Sequence, residues 1–300
     1  LKFYFDGQID REHSYEALRR IAEDRSVVIP GFYGVMPDGH IKVLSRGGSD
    51  VTGALAAAAL GADVYENWTD VSGILMADPR IVENPRPIER ITYNELRELS
   101  YMGAQVLHEA SVFPVRQADI PLNIRNTNDP GHPGTLIREH FEDELESEKN
   151  RFITGIAGRR NFSIITMAKN RLSSSIGSLR RVFERHNLNV EYTPSGIDSV
   201  SLVVQSGKAA SCLYSILGEL QKEFRPDKLQ VAENISIVAA VGRKMAFRPG
   251  ISGKIFAALG ENGISIRMIS QGPEELNIIV GVDNADFEKT VRVLYESFVR

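Results

Sequence analysis

The second half of this 300-residue chain repeats itself, and that repeat limits the possible folds more tightly than any other feature. At an offset of 76 residues Gly177 maps to Gly253, Leu179 to Ile255, Phe183 to Leu259, Leu188 to Ile264 and Val190 to Ile266. Leu202, Val203 and Val204 map in the same way to Ile278, Ile279 and Val280. Each copy reads strand, helix, strand, strand, helix, at 164–167, 176–186, 190–193, 200–204 and 209–223, and again from 235 onward. That order is the ferredoxin-like split βαβ unit. The second copy ends on a helix, 287–298, with no closing strand, whereas 152–157 is an extra strand ahead of the first copy. The leading strand is therefore expected to complete the second unit's sheet, so that units 152–232 and 233–300 interlock. Open sheet edges in such units favour a homodimer formed through residues after Arg151.

Ahead of the repeat, two polar clusters stand about twenty residues apart. The first is Ser45, Arg46, Gly47, Gly48, Ser49, Asp50, followed by an alanine-rich run that closes at Gly61. It reads as a helix with Ser49 or Asp50 as N-cap and glycine just past its end. A helix start preceded by two glycines offers backbone N–H groups to an anion, and Arg46 adds a fork that fits a carboxylate or phosphate. Asp50 would then face an ammonium or a metal-bound group. The competing reading is that Ser49 and Asp50 only cap and the glycines only turn the chain. The second cluster, Trp68, Thr69, Asp70, Val71, Ser72, Gly73, ends a strand expected over 62–68. Ligands in open α/β sheets bind beyond the carboxyl ends of strands, where Thr69 and Asp70 would sit. Further on, Asp78, Pro79, Arg80 presents another guanidinium.

The rest of residues 1–137 alternates helix and strand. A helix is expected over 15–22, a buried strand over 27–29 and an extended segment over 41–44. Thr92 and Glu95 form a capping box that opens a helix toward Met102, a further helix precedes Pro121, and 122–125 returns to the sheet. This order implies an α/β layer with a mainly parallel sheet covered on both faces. Residues 138–151, with Glu142, Asp143, Glu144, Glu146 and Glu148, read as a charged linker.

Composition excludes several classes. A net charge of −4 and a pI near 5.9 leave no basic footprint for nucleic acid. No apolar stretch approaches a membrane span and no signal sequence is visible, which points to a cytoplasmic protein with no membrane partner. The single cysteine, Cys212, lies in an apolar run and reads as a buried, inert thiol. No spacing of His, Cys and carboxylates suits a zinc site.

Taken in order, the runs 30–50, 68–73, 77–80, 91–93 and 98–107, with the loop from Asn126 and Thr127 to Thr135 and Leu136, resemble aspartate kinase almost without gaps. The duplicated tail resembles the ACT domain, the amino-acid-sensing module that follows the kinase domain in that family. The resemblance implies an amino-acid-kinase-type sheet sandwiched by helices, followed by two ACT units. It implies transfer of phosphate from ATP, with Mg2+, to L-aspartate, giving 4-phospho-L-aspartate at the entry to lysine, threonine and methionine synthesis. Carried over by position, Arg46, Ser49 and Asp50 line the aspartate pocket, and Thr69, Asp70 and Arg80 contact the nucleotide. Leu75 stands at a nucleotide position where many members have Tyr, and Gln105, before Val106, stands where many have Lys. His108 is assigned no catalytic role.

Lysine or threonine effectors would meet Lys169, Asn170 and Gly177, with Ser195, Gly196 and Asp198 on a strand-connecting turn; the competing reading of that turn is a plain polar hairpin. In the second unit Arg248, Pro249, Gly250, Ile251 and Gly253 form the equivalent helix entrance. The family's phosphate-holding Lys, Phe or Tyr, Gly, Gly loop is not found, so roughly the first third of a parent enzyme is expected to be absent, and the chain to be inactive alone. Two alternatives stay open, another amino-acid kinase and an amino-acid-binding regulatory module.

Overall fold

The computed structural model describes residues 1–23, 25–45, 47–104, 107, 109–142, 152–168, 176–243, 245, 249–272 and 276–299. They form two units, Leu1–Met76 with Asn84–Asn150, and Ala77–Glu83 with Arg151–Arg300.

In the first unit α1 (Arg11–Ala22) starts one turn earlier than expected, because Asp10 caps it by accepting from the His13 backbone N–H at 3.1 Å. The His13 ring also meets the Asp10 carboxylate at 2.7 Å, which raises the imidazole pKa above its ordinary value. Raised in the folded state, that group contributes stability fully below about pH 6.5 and loses it as pH rises through the folded pKa. An NMR titration should show His13 titrating above about 6.5, and Asp10→Ala should return it to the ordinary range.

A hairpin of β1 (Tyr33–Val35) and β2 (Ile41–Val43) leads into α2 (Gly48–Leu60), whose small buried face includes Val51, Thr52, Ala54, Leu55, Ala57 and Ala59. Arg19 of α1 donates to the Ala59 carbonyl at 2.8 Å and fastens the two helices. Residues 27–29 are not a strand: they pair with no described strand and Val28 is 99% exposed. Three β-branched residues in a row suit a strand, but a strand exists only where a neighbour accepts its hydrogen bonds.

The chain continues through β3 (Tyr65–Thr69), β4 (Ile74–Leu75), β5 (Pro87–Ile88), β6 (Arg90–Thr92), α3 (Tyr93–Tyr101), α4 (Glu109–Gln117), β7 (Leu122–Asn126) and β8 (Thr135–Arg138). The sheet order is β3-β7-β8-β6, with β3 parallel to β7, β8 parallel to β6, and β7 antiparallel to β8. The sheet is mixed, two parallel pairings flanking one antiparallel hairpin. The Thr92–Glu95 capping box forms with both reciprocal hydrogen bonds, and Glu95 is fully buried in it. Residues just after β8 are held rather than free. Arg116 grips Glu139 with two bonds of 2.7 Å, and Arg90 lies 4.8 Å from the Phe141 ring. Positions 143–151 of the expected linker lie outside the described residues.

The second unit is built on two long strands, β9 (Gly155–Ala168) and β11 (Lys228–Val241). Between and after them come α5 (Ile176–Arg185), β10 (Ser199–Gln205), α6 (Ser206–Ala209), α7 (Leu213–Phe224), α8 (Ile251–Glu261), β12 (Ile266–Ser270), β13 (Asn277–Asp283) and α9 (Phe287–Phe298). One antiparallel sheet runs β10-β9-β11-β13-β12. The leading strand is not separate from the first repeat strand. It is the front of β9, where Gly155 to Arg159 pair with Val241 to Ile237, while the rear of β9 pairs with β10 and the front of β11. Asn161 and Asn234 take left-handed φ where the long strands pass from one half of the sheet to the other.

The repeat therefore holds, but not at one fixed offset. Phe162 occupies the place of Ile235, Leu179 that of Ile255, and Leu202 that of Val280 rather than Ile278. Segments of unequal length before the helix and inside the second hairpin account for the drift. Two further expectations give way. Residues 190–193 make only an isolated bridge, Tyr192 to Val203. The helix expected over 209–223 begins only at Leu213, after the separate turn α6, whose Ser206 bonds Ser163 of β9 at 2.9 Å. Cys212 at the break is half-buried rather than buried. The core under the first repeat joins Ile165, Met167, Leu179, Phe183, Leu202 and Ile216. Among the described residues no helix is long and apolar enough to cross a membrane.

Candidate functional site

Helix α2 begins at Gly48 with Gly47 as N-cap, not at Ser49 or Asp50. Gly47 has φ 79°, a left-handed turn that places Gly48 against Leu44 and Phe32, where a Cβ would fall 2.5 Å from Leu44 Cβ. Gly47, having no side chain, makes no side-chain cap bond here. Ser49, exposed, and Asp50, half-buried, thus stand in the first helical turn rather than being consumed as caps. A carboxylate there is favoured by the helix dipole, and its side chain stays available for a ligand. Arg46 lies outside the described residues.

Asp50 is held by strand β3. Its Oδ1 accepts from Asn67 Nδ2 at 3.2 Å, and its backbone carbonyl accepts from the Tyr65 hydroxyl at 3.1 Å. Asn67 is 8% exposed, and it also donates to the Tyr65 oxygen at 3.3 Å. Burial and the nearby Asp50 charge raise the Tyr65 pKa above its ordinary value, so the phenol remains a neutral donor. Tyr65 and Asn67 were not among the site residues expected from sequence. The signal was the two-residue period of a strand, which puts 65, 67 and 69 on one face with Thr69.

Thr69 ends β3 half-buried, and its hydroxyl donates to Oδ1 of exposed Asp70 at 3.2 Å. The turn after β3 is tied to the loop after β7. The Thr69 carbonyl accepts from the Thr127 backbone at 2.8 Å and from its hydroxyl at 2.9 Å, while Asn126 donates to Ser72 at 2.8 Å. These residues gather at the carboxyl ends of two adjacent parallel strands, beside a helix start, the arrangement that receives ligands in open α/β sheets. Asp50 is thus tied, through Asn67, to the face of β3 that also carries Thr69.

Leu75, on β4, is 37% exposed and pairs with Pro87. Arg80 belongs to the segment Ala77–Glu83 of the second unit, where its guanidinium is forked onto Asp78 at 2.6–3.1 Å. That partner holds the Asp78 carboxyl below its ordinary pKa. Gln105, Val106 and His108 lie outside the described residues, as do Lys169, Asn170 and Arg248. Gly177 is exposed in the first turn of α5. Ser195, Gly196 and Asp198 are exposed on a tight turn in which the Gly196 N–H donates to the Ser199 carbonyl at 2.8 Å, the geometry of a polar hairpin. Among the described residues no cluster of three metal-ligating side chains is found.

The chain matches the amino acid kinase family over residues 3–126 and the ACT domain over residues 238–298. Aspartokinase 3 of Bacillus subtilis (strain 168) is 36% identical over 290 residues, which is 95% of this chain and 63% of that protein. The chain therefore spans less than two thirds of that relative's length. The crystal structure of Clostridium acetobutylicum aspartate kinase, described as an allosteric enzyme, is 48% identical with a TM-score of 0.92, covering 99% of this chain and 68% of that one. Two structures of E. coli aspartokinase III, one with aspartate and ADP and one with lysine and aspartate, both give a TM-score of 0.76. They are 28% and 29% identical and cover all of this chain and 68% and 67% of theirs.

Proposed function

The chain belongs to the aspartokinase family, and we propose that it carries the acceptor pocket and part of the nucleotide site of an aspartate kinase. The observation that carries this reading is Asp50, presented in the first turn of α2 and held by Asn67 beside Thr69 at the strand ends. In this reading Asp50 receives the substrate ammonium, Arg46 its α-carboxylate, and Ser49 completes the pocket. Thr69, Asp70 and Arg80 meet the nucleotide, and the aspartate side-chain carboxylate attacks the γ-phosphate of ATP to give 4-phospho-L-aspartate and ADP. Phosphoryl transfer of this kind depends on positioning and charge neutralisation, and a buried amide holding the carboxylate that receives the substrate supplies the positioning. Magnesium would arrive on the nucleotide phosphates with one or two carboxylates at most, and that mode needs no dedicated protein cage. The protein is proposed to act in the cytoplasm at the entry to amino-acid biosynthesis.

Aspartate-dependent ADP release from Mg-ATP by the full-length protein tests the reading. Turnover with aspartate that is absent with glutamate supports it; equal turnover with another amino acid, or none with aspartate, sinks it. The ACT units are proposed to sense lysine or threonine, a role that fits the lysine held by E. coli aspartokinase III. Calorimetry with each amino acid separates sensing from chemistry. A homodimer through these units is supported by the open edge at β12, which has only β13 beside it among the described residues.

A further inference from the structure

The segment Ala77–Glu83 groups with the second unit although its flanks on both sides belong to the first. It is a turn with its own frame: Ile81 and Val82 N–H groups both donate to the Asp78 carbonyl, at 2.9 and 3.0 Å, and Ala77 and Val82 are buried. Asp78 in turn fixes the Arg80 guanidinium. From far along the sequence Arg292 of α9 reaches this turn, its Nε donating to the Ile81 carbonyl at 2.9 Å.

Arg292 is itself the end of a chain of charges. Its Nη2 meets one oxygen of Glu288 at 3.0 Å, and Arg160 meets the other at 2.8 Å. Arg160 also donates to the Asn284 carbonyl at 3.2 Å and lies 4.5 Å from the Phe287 ring. Asn284 then holds the β9 irregularity: its Oδ1 accepts from the Asn161 backbone at 3.3 Å and from Ser236 at 2.6 Å, and its Nδ2 donates to Asn161 at 2.8 Å.

We propose that Arg292 is a positioning residue for the Asp78–Pro79–Arg80 turn, tying it through Glu288 and Arg160 to the Asn161 irregularity at the middle of the second unit's sheet. The role at the nucleotide rests on the reading of Arg80 given above; the tie itself does not. A guanidinium can hold two acceptors at fixed angles, which a lysine cannot, so the turn is registered on α9 and not merely attracted to it. The irregularity at Asn161 would thereby set the conformation of the turn that carries Arg80. A small displacement of such a group is enough to slow phosphoryl transfer.

The test is Arg292→Ala in the full-length protein, with Arg292→Lys as the conservative partner. Amides of 77–83 should exchange with deuterium about tenfold faster while β13 exchanges as before, and KM for ATP should rise about tenfold with KM for aspartate unchanged. Arg292→Lys should restore part of both effects. Unchanged exchange in 77–83 would overturn the tie. Faster exchange with an unmoved KM for ATP, or equal shifts in both KM values, would overturn its role at the nucleotide. If the unaltered protein releases no ADP with aspartate, the kinase reading has failed, and exchange alone then decides the tie.

Discussion

Gly134→Ala is expected to lower the unfolding free energy of the first unit by about 3 kcal/mol or more, because two separate penalties fall on one residue. Gly134 has φ 79°, a left-handed conformation that costs an L-residue about 1–2 kcal/mol. A Cβ there would also lie 2.0 Å from the Ile124 carbonyl oxygen and 3.0 Å from Asn123 Oδ1, so the β7–β8 hairpin would have to open. Opening it moves Thr135, the next residue. The fully buried Thr135 hydroxyl donates to the Ile88 carbonyl at 2.6 Å and accepts from the Ile74 N–H at 2.8 Å, joining β8 to the β4–β5 pair. Gly39 supplies the control. It has φ 88°, and an added methyl group would meet nothing within 4 Å, so Gly39→Ala should cost only the conformational share, about 1–2 kcal/mol. Chemical denaturation of the two variants compares them directly, and equal losses would show that the hairpin tolerates the methyl.

What could be read without coordinates was local. The Thr92–Glu95 box, the Gly61 helix end and helix α9 are set by residues within a few positions of one another, and each lies where its motif predicts. What could not be read was relational. Residues 27–29 have strand composition and no described strand to pair with, and residues 190–193 obtain a single bridge. The leading strand was expected as its own element, yet it runs on into the first repeat strand through Asn161. Left-handed φ at an asparagine inside a strand is settled by the partner strand and by Asn284, 123 residues further along the chain. At the site, Asp50 and Thr69 were legible as separate motifs. The amide that ties Asp50 to the face of β3 carrying Thr69 was not, because Asn67 carries meaning only once β3 is known to turn its odd residues toward α2.

That amide makes the second large effect specific. Asp50→Ala is expected to lower kcat/KM for aspartate by about 100-fold in the full-length protein, with KM for ATP little changed. A charged hydrogen-bonded contact contributes about 1.5–3 kcal/mol, which is a factor of roughly ten to 150. The same substitution should cost folding much less. Asp50 loses a favourable place in the first helical turn, worth about 0.3–1 kcal/mol, and leaves Asn67 without one acceptor while the Tyr65 oxygen remains to it. The two effects are therefore separable by comparing kinetics with the denaturation midpoint. Asn67→Ala should follow the same direction at about one tenth of the kinetic effect, since it frees the Asp50 carboxylate to turn without removing its charge. Because Asn67 acts through Asp50, the double variant should be no worse than Asp50→Ala alone. If the two losses instead multiply, Asn67 touches substrate on its own account and the pocket is differently arranged; if Asp50→Ala leaves kcat/KM for aspartate within a factor of about three, the carboxylate does not hold the amino acid at all.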